Sequence, residues 1–188
     1  MSSVKKAVIC SFCIALCFVL PVAFHAVGLG NMFSPMHIPV LLCGLVCGWP
    51  YGAFCGVAGP VLSSFSGMPS AMQLIYFIPE LAAYGFVSGF LFSRVRTKHF
   101  FADVYLSLLP AMLAGRVLGG AAQAAFYLST ARSWSPALWA AGYLAGTAPG
   151  MAVQLILLPA LLLALSRARM IPARYPKERG GSVNGAKA

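Results

Sequence analysis

Glu80, in the stretch YFIPELAAYG, and Arg116, in AMLAGRVLGG, carry charge in the middle of otherwise apolar runs. An unpaired charge in such a setting costs several kcal/mol, about 3 or more at a bilayer centre. Each therefore needs a partner, and they suit one another. If the helix holding Glu80 runs down from one surface and the next runs back up, Glu80 lies about 13 Å below its helix's outer end and Arg116 about 18 Å below its own, at about 1.5 Å per residue. An arginine side chain bridges the difference of about 5 Å. Such a pair can tie two helices together, form the polar floor of a ligand pocket, or do both. Other polar groups fall toward the same end. Asn31, Ser34 and His37 flank one loop, Tyr84 follows Glu80 by one turn, Gln123 lies two turns above Arg116, and Gln154 sits within the last apolar run. Three histidines without a second acid at ligand spacing make no metal site. No serine stands beside an obvious base, so nucleophilic catalysis has no support either. Cys10-x-x-Cys13 has the spacing of a redox pair, but all six cysteines lie in apolar runs and read as small packing residues.

The elements that must hold these groups follow from composition. Of 188 residues, 60% are hydrophobic and 9% charged, against about 25% charged in soluble domains. That excludes a water-facing globule and implies an all-α membrane protein. With about 20 residues per crossing, the chain has room for a compact bundle of six transmembrane helices and no separate soluble domain. The predicted helices cover residues 7–26, 36–49, 51–65, 71–92, 104–128 and 137–165, with Trp49-Pro50 as the tight link between the second and third. Residues 1–170 form this domain, and 171–188 read as a basic, disordered cytoplasmic tail. The first helix lacks a small-residue cleavage site and reads as a span, not a signal peptide.

Eleven of the thirteen lysines and arginines fall before the first helix, after the fourth, or after the sixth. An even number of crossings with both termini cytoplasmic satisfies that bias. The net charge of +10 thus belongs to the inner membrane surface, and nucleic acid is not an expected partner. No Gly-x-x-x-x-Gly-Lys-Ser/Thr loop is present, so any use of ATP falls to another chain. Small residues form stripes at intervals of four: Ala7, Ser11 and Ala15 on the first helix, and Gly44, Gly48, Gly52 and Gly56 across the second and third. Such stripes permit close helix contact.

The passage SPMHIPVLLCGLVCGWPYGAFCGVAGPVLSSFSGMP, with ELAAYGFVSGFL, LAGRVLGG and GTAPGMAVQLILLP in that order, resembles the substrate-binding S components of energy-coupling factor (ECF) transporters over about residues 5–167. The resemblance implies a six-helix bundle in a prokaryotic cell membrane, binding a vitamin or vitamin precursor near its outer face beneath a lid formed by the first loop. It implies docking on a transmembrane coupling protein that carries two ATPase subunits, with no cofactor in this chain. In that family small residues of the first helix, often Ala-xxx-Ala, form the docking face. Here Ala7, Ser11 and Ala15 match, with Ser11 as a departure.

On that reading His37, Glu80, Tyr84, Arg116, Asn31, Ser34, Gln123 and Gln154 are the candidate substrate-binding residues. One arginine, one glutamate, a histidine and several aromatics suit a small polar vitamin such as pantothenate, or a pyridoxine-like or pyrimidine-like compound. The competing expectation is a stand-alone ion-coupled carrier using Glu80 as a proton relay. Its weakness is that the two halves of the chain show no repeat. An enzyme is not expected, because paired catalytic acids and an HExxH motif are both missing.

Overall fold

The computed structural model describes residues 1–26, 28, 35–67, 69–130, 135–141 and 146–171. Every regular element among them is helical. They are α1 (Ser3–Ala26), α2 (His37–Cys47), α3 (Trp49–Ser64), α4 (Ala71–Arg94), α5 (Phe100–Ser129), a four-residue α6 (Pro136–Trp139) and α7 (Ala148–Arg167). By length and apolarity α1, α4, α5 and α7 can cross a bilayer. The 11 residues of α2 and 16 of α3 reach about 16 and 24 Å, short of the roughly 30 Å hydrocarbon layer.

Two boundaries differ from the sequence expectation. The link between α2 and α3 is Gly48, not Trp49-Pro50. Gly48 has φ 96°, a left-handed conformation that a side chain disfavours, and its N–H still closes on the Gly44 carbonyl. Trp49 and Pro50 are already the first turn of α3, where a proline's missing N–H removes no helix bond. The expected last helix over 137–165 is not continuous. A short helix ends at Trp139, and α7 starts only at Ala148 after Gly146 and Thr147, with Pro149 in its first turn. Uniform apolarity conceals such a break, whereas glycine and proline punctuate it.

α4 is the centre of the bundle. It packs on α5, α3 and α2, while α1 covers α2 and α3, and α7 touches α2 and α5. Glycines set how closely the backbones approach. A Cβ on Gly85 would collide with the backbone of Gly52, and one on Gly56 with the backbone of Leu81. Helices that touch backbone to backbone bury their polar ladder deeply and gain dispersion contacts along the seam. The six cysteines line the junction of α1, α2 and α3, all free and buried. Their thiols act as weak donors to carbonyls of neighbouring elements: Cys10 and Cys43 Sγ lie 3.6 and 3.5 Å from the Tyr51 oxygen, and Cys47 Sγ lies 3.6 Å from that of Lys6.

At the basic end, Asp103 sits in the first turn of α5, where a carboxylate suits the helix dipole. It is fully buried and accepts 2.7 Å hydrogen bonds from the Thr97 backbone N–H and hydroxyl, which pins the α4–α5 link.

Candidate functional site

Pro79 precedes Glu80 in α4. A proline inside a helix leaves the carbonyl four residues back without its usual donor and bends the axis. Glu80 follows that irregularity and points into the bundle, with no exposed surface. Its Oε1 meets Arg116 Nη1 from α5 at 3.2 Å and His37 Nε2 from α2 at 3.4 Å. Arg116, 4% exposed, also donates from Nη2 to the Thr147 hydroxyl at 2.9 Å. One carboxylate and one guanidinium thus join α2, α4, α5 and the start of α7.

Aromatic and glycine residues shape the surroundings. The His37 ring stands edge-on to Tyr84, centroids 4.8 Å apart and planes at 89°, with Phe77 at 6.5 Å. Such T-shaped pairs place ring edge against ring face. Gly119 leaves room for Glu80 itself: a Cβ there would stand 2.8 Å from Oε2 and 2.9 Å from the Glu80 Cβ. One turn away, a Cβ on Gly115 would strike the Tyr84 ring, and one on Gly120 would strike Trp139 of α6. The glycines of α5 are therefore a socket for the polar side chains of α4 as well as a packing stripe.

The expected pair of Glu80 and Arg116 is thus present and turned inward, and His37 and Tyr84 pack beside it. Gln154 is 1% exposed on α7, and its Nε2 has no hydrogen-bond partner among the described residues. The half-buried Gln123 has its Oε1 in the same condition. Asn31 and Ser34 lie outside the described residues. Thr147 is the residue that sequence reasoning missed. Its position before Ala148-Pro149 marks a helix N-terminus, yet its hydroxyl reaches Arg116 and makes no capping bond.

Ala7, Ser11 and Ala15 stand apart from this cluster. They share one exposed face of α1 with Val8 and Phe12, while Cys10, Cys13 and Cys17 occupy the opposite, buried face. A helix apolar on both sides, with its small residues outward, fits lipid or another transmembrane helix better than water.

A buried ion pair with aromatic walls and spare amide groups is suited to hold a small polar molecule. It also meets the physical demand of a dry interior, because each charge has its partner. The family model for the substrate-specific component of ECF transporters matches residues 5–166. The chain belongs to that family. Neither the curated proteins nor the solved structures yield a match. As an ECF S component it is a substrate-specific subunit of a membrane transporter. The hub of Glu80, Arg116 and His37 then lies in the half of the S component away from its basic end. Glu80 is 14 residues, about 21 Å of helix, from Arg94 but nine residues, about 14 Å, from the opposite end of α4 at Ala71.

Proposed function

We propose that this S component captures a small vitamin or vitamin precursor at the outer face of a prokaryotic cell membrane. It hands the cargo to an ECF transmembrane coupling protein driven by two ATPase subunits. The chain itself is no enzyme and needs no cofactor, since ATP is hydrolysed by the partners. Six helices cross the bilayer with both ends cytoplasmic. α2 and α3 are each short of the full hydrocarbon thickness, but Gly48 at their turn lines a cavity together with Lys6 and Arg96, which brings that turn to the basic side and supports this reading.

The observation that carries the ligand site is the buried Nε2 of Gln154, without a hydrogen-bond partner among the described residues, in a bundle where Glu80 already bonds both Arg116 and His37. A buried donor left unmade costs about 1–3 kcal/mol. A bound molecule that offers an acceptor recovers that cost and gains specificity. His37, Tyr84, Arg116, Glu80, Gln123 and Gln154 supply the polar and aromatic contacts, with Asn31 and Ser34 in the covering loop. Because Arg116 is balanced by Glu80, a small and weakly charged compound of the pantothenate, pyridoxine-like or pyrimidine-like kind suits the site better than a polyanion.

The exposed face at Ala7, Ser11 and Ala15 is the proposed contact with the coupling protein. Uptake into cells that express the chain with and without the coupling protein and ATPases tests the reading. Ala15→Trp is expected to leave equilibrium ligand binding within about twofold and to reduce uptake more than tenfold. Uptake that persists without the ATPase partners would overturn this and favour an ion-coupled carrier that uses Glu80.

A further inference from the structure

The basic end of the bundle holds two hollows that the substrate site does not use. One, of about 360 Å³, is lined by Lys6 of α1, Gly48 at the α2–α3 turn, Ser93 of α4, Arg96 of the α4–α5 link and Ser166 of α7. The other, of about 470 Å³, is lined by Lys5, Ser2, Ser166 and Arg169. Met1, Ser166 and Ile171 line both, so the two adjoin. Four cationic side chains and three hydroxyls converge on this space, and no acid among the described residues lines either hollow. Asp103, buried nearby in sequence, is held by Thr97 and lines neither.

Two features point to an anionic occupant. Lys5 and Lys6 lie in the first turn of α1, which contains no acidic residue. Cations there oppose the positive end of the helix dipole, so they do not serve the helix that carries them. An anion in these hollows would meet both lysines. Lys6 Nζ lies 5.9 Å over the Tyr51 ring, a cation–π contact. Beneath this rim the first hollow is walled by Leu45, Val46, Phe92, Phe100 and Leu162. A basic rim above an apolar wall fits an amphiphile better than a free ion. Basic pockets between transmembrane helices on the cytoplasmic side are suited to anionic headgroups.

We propose that these joined hollows bind the phosphate headgroup of an anionic phospholipid, with its glycerol and first methylenes against the apolar wall. The site spans α1, α4 and α7, so an occupied headgroup clamps the basic ends of three helices together.

The test uses the purified full-length protein, stripped of lipid, titrated with dioctanoyl phosphatidylglycerol and read by native mass spectrometry. Saturable binding of one lipid is expected. Lys6→Gln/Arg96→Gln is expected to weaken it about 25-fold, at about fivefold per basic residue. Lys98→Gln/Arg167→Gln removes two basic residues that line neither hollow and is expected to change binding less than twofold. Arg169→Gln gives a second reading if the first double variant fails to fold. Equal losses in the control, equal binding of dioctanoyl phosphatidylcholine, or no binding at all would overturn the site. Inorganic phosphate that binds at millimolar concentration while the lipid fails to bind would overturn the lipid assignment in favour of a free anion.

Discussion

The hub around Glu80 and the cysteine seam between α1, α2 and α3 are equally buried, yet they hold the bundle on different terms. In the hub, four elements meet through charge and directed hydrogen bonds: Arg116 at 3.2 Å and His37 at 3.4 Å on one carboxylate oxygen, and Thr147 at 2.9 Å on Arg116. In the seam, six thiols and a row of glycines meet through shape, with sulfur contacts to carbonyls of 3.5–3.8 Å. Removing a partner from the first leaves a charge without compensation. Removing a thiol from the second leaves a small void. The part of the molecule proposed to bind cargo is therefore the part most sensitive to single substitutions.

The sharpest break in this comparison is Glu80→Ala. It leaves the Arg116 guanidinium buried without its carboxylate and is expected to cost about 3–5 kcal/mol, read as a lowered thermal unfolding midpoint in detergent. Glu80→Leu/Arg116→Met, which removes both charges and keeps volume, is expected to recover most of that loss. If the double variant is no more stable than the single, the ion pair is not what Glu80 contributes. Gly119→Ala comes next, at about 1–3 kcal/mol, because its methyl meets the Glu80 side chain at 2.8–3.0 Å. Shortening the carboxylate with Glu80→Asp in the same chain is expected to relieve part of the clash, which a double-mutant cycle measures as coupling. Thr147→Val should cost about 1.5 kcal/mol for one hydrogen bond to a charged group. Cys43→Ala is expected to have the smallest effect, about 1 kcal/mol, since only a buried sulfur is lost. A loss at Cys43 as large as that at Glu80 would erase the distinction between the two regions.

Much of the hub was legible because the chain is so poor in polar residues. Glu80 and Arg116 had few partners to choose from, and helix rise placed them at similar depth. The contact of His37 with Glu80 was less accessible. Sequence places His37 beside a loop, but α2 begins deep enough for its first residue to reach the carboxylate of α4. Thr147 was hidden for a different reason: an apolar run over 137–165 reads as one helix, and the punctuation by Gly146 and Pro149 that places Thr147 before α7 is outweighed by that apolarity, while the reach of its hydroxyl to Arg116 is a tertiary contact. The glycine spacing of α5 indicated close contact, but not that Gly119 faces a carboxylate and Gly115 a tyrosine ring. Spacing gives a face, and only the neighbour's side chain decides what that face accommodates.

The most direct measurement is mass spectrometry of small molecules that copurify with wild-type protein and with His37→Ala. The substitution removes one contact from the hub and leaves the pair of Glu80 and Arg116 in place. One vitamin-class compound is predicted to be retained by the wild type and reduced at least tenfold in His37→Ala, with the ligand-free variant still folded and its unfolding midpoint lowered less than by Glu80→Ala. Equal retention in both proteins would contradict the assignment of this end of the bundle as the cargo site.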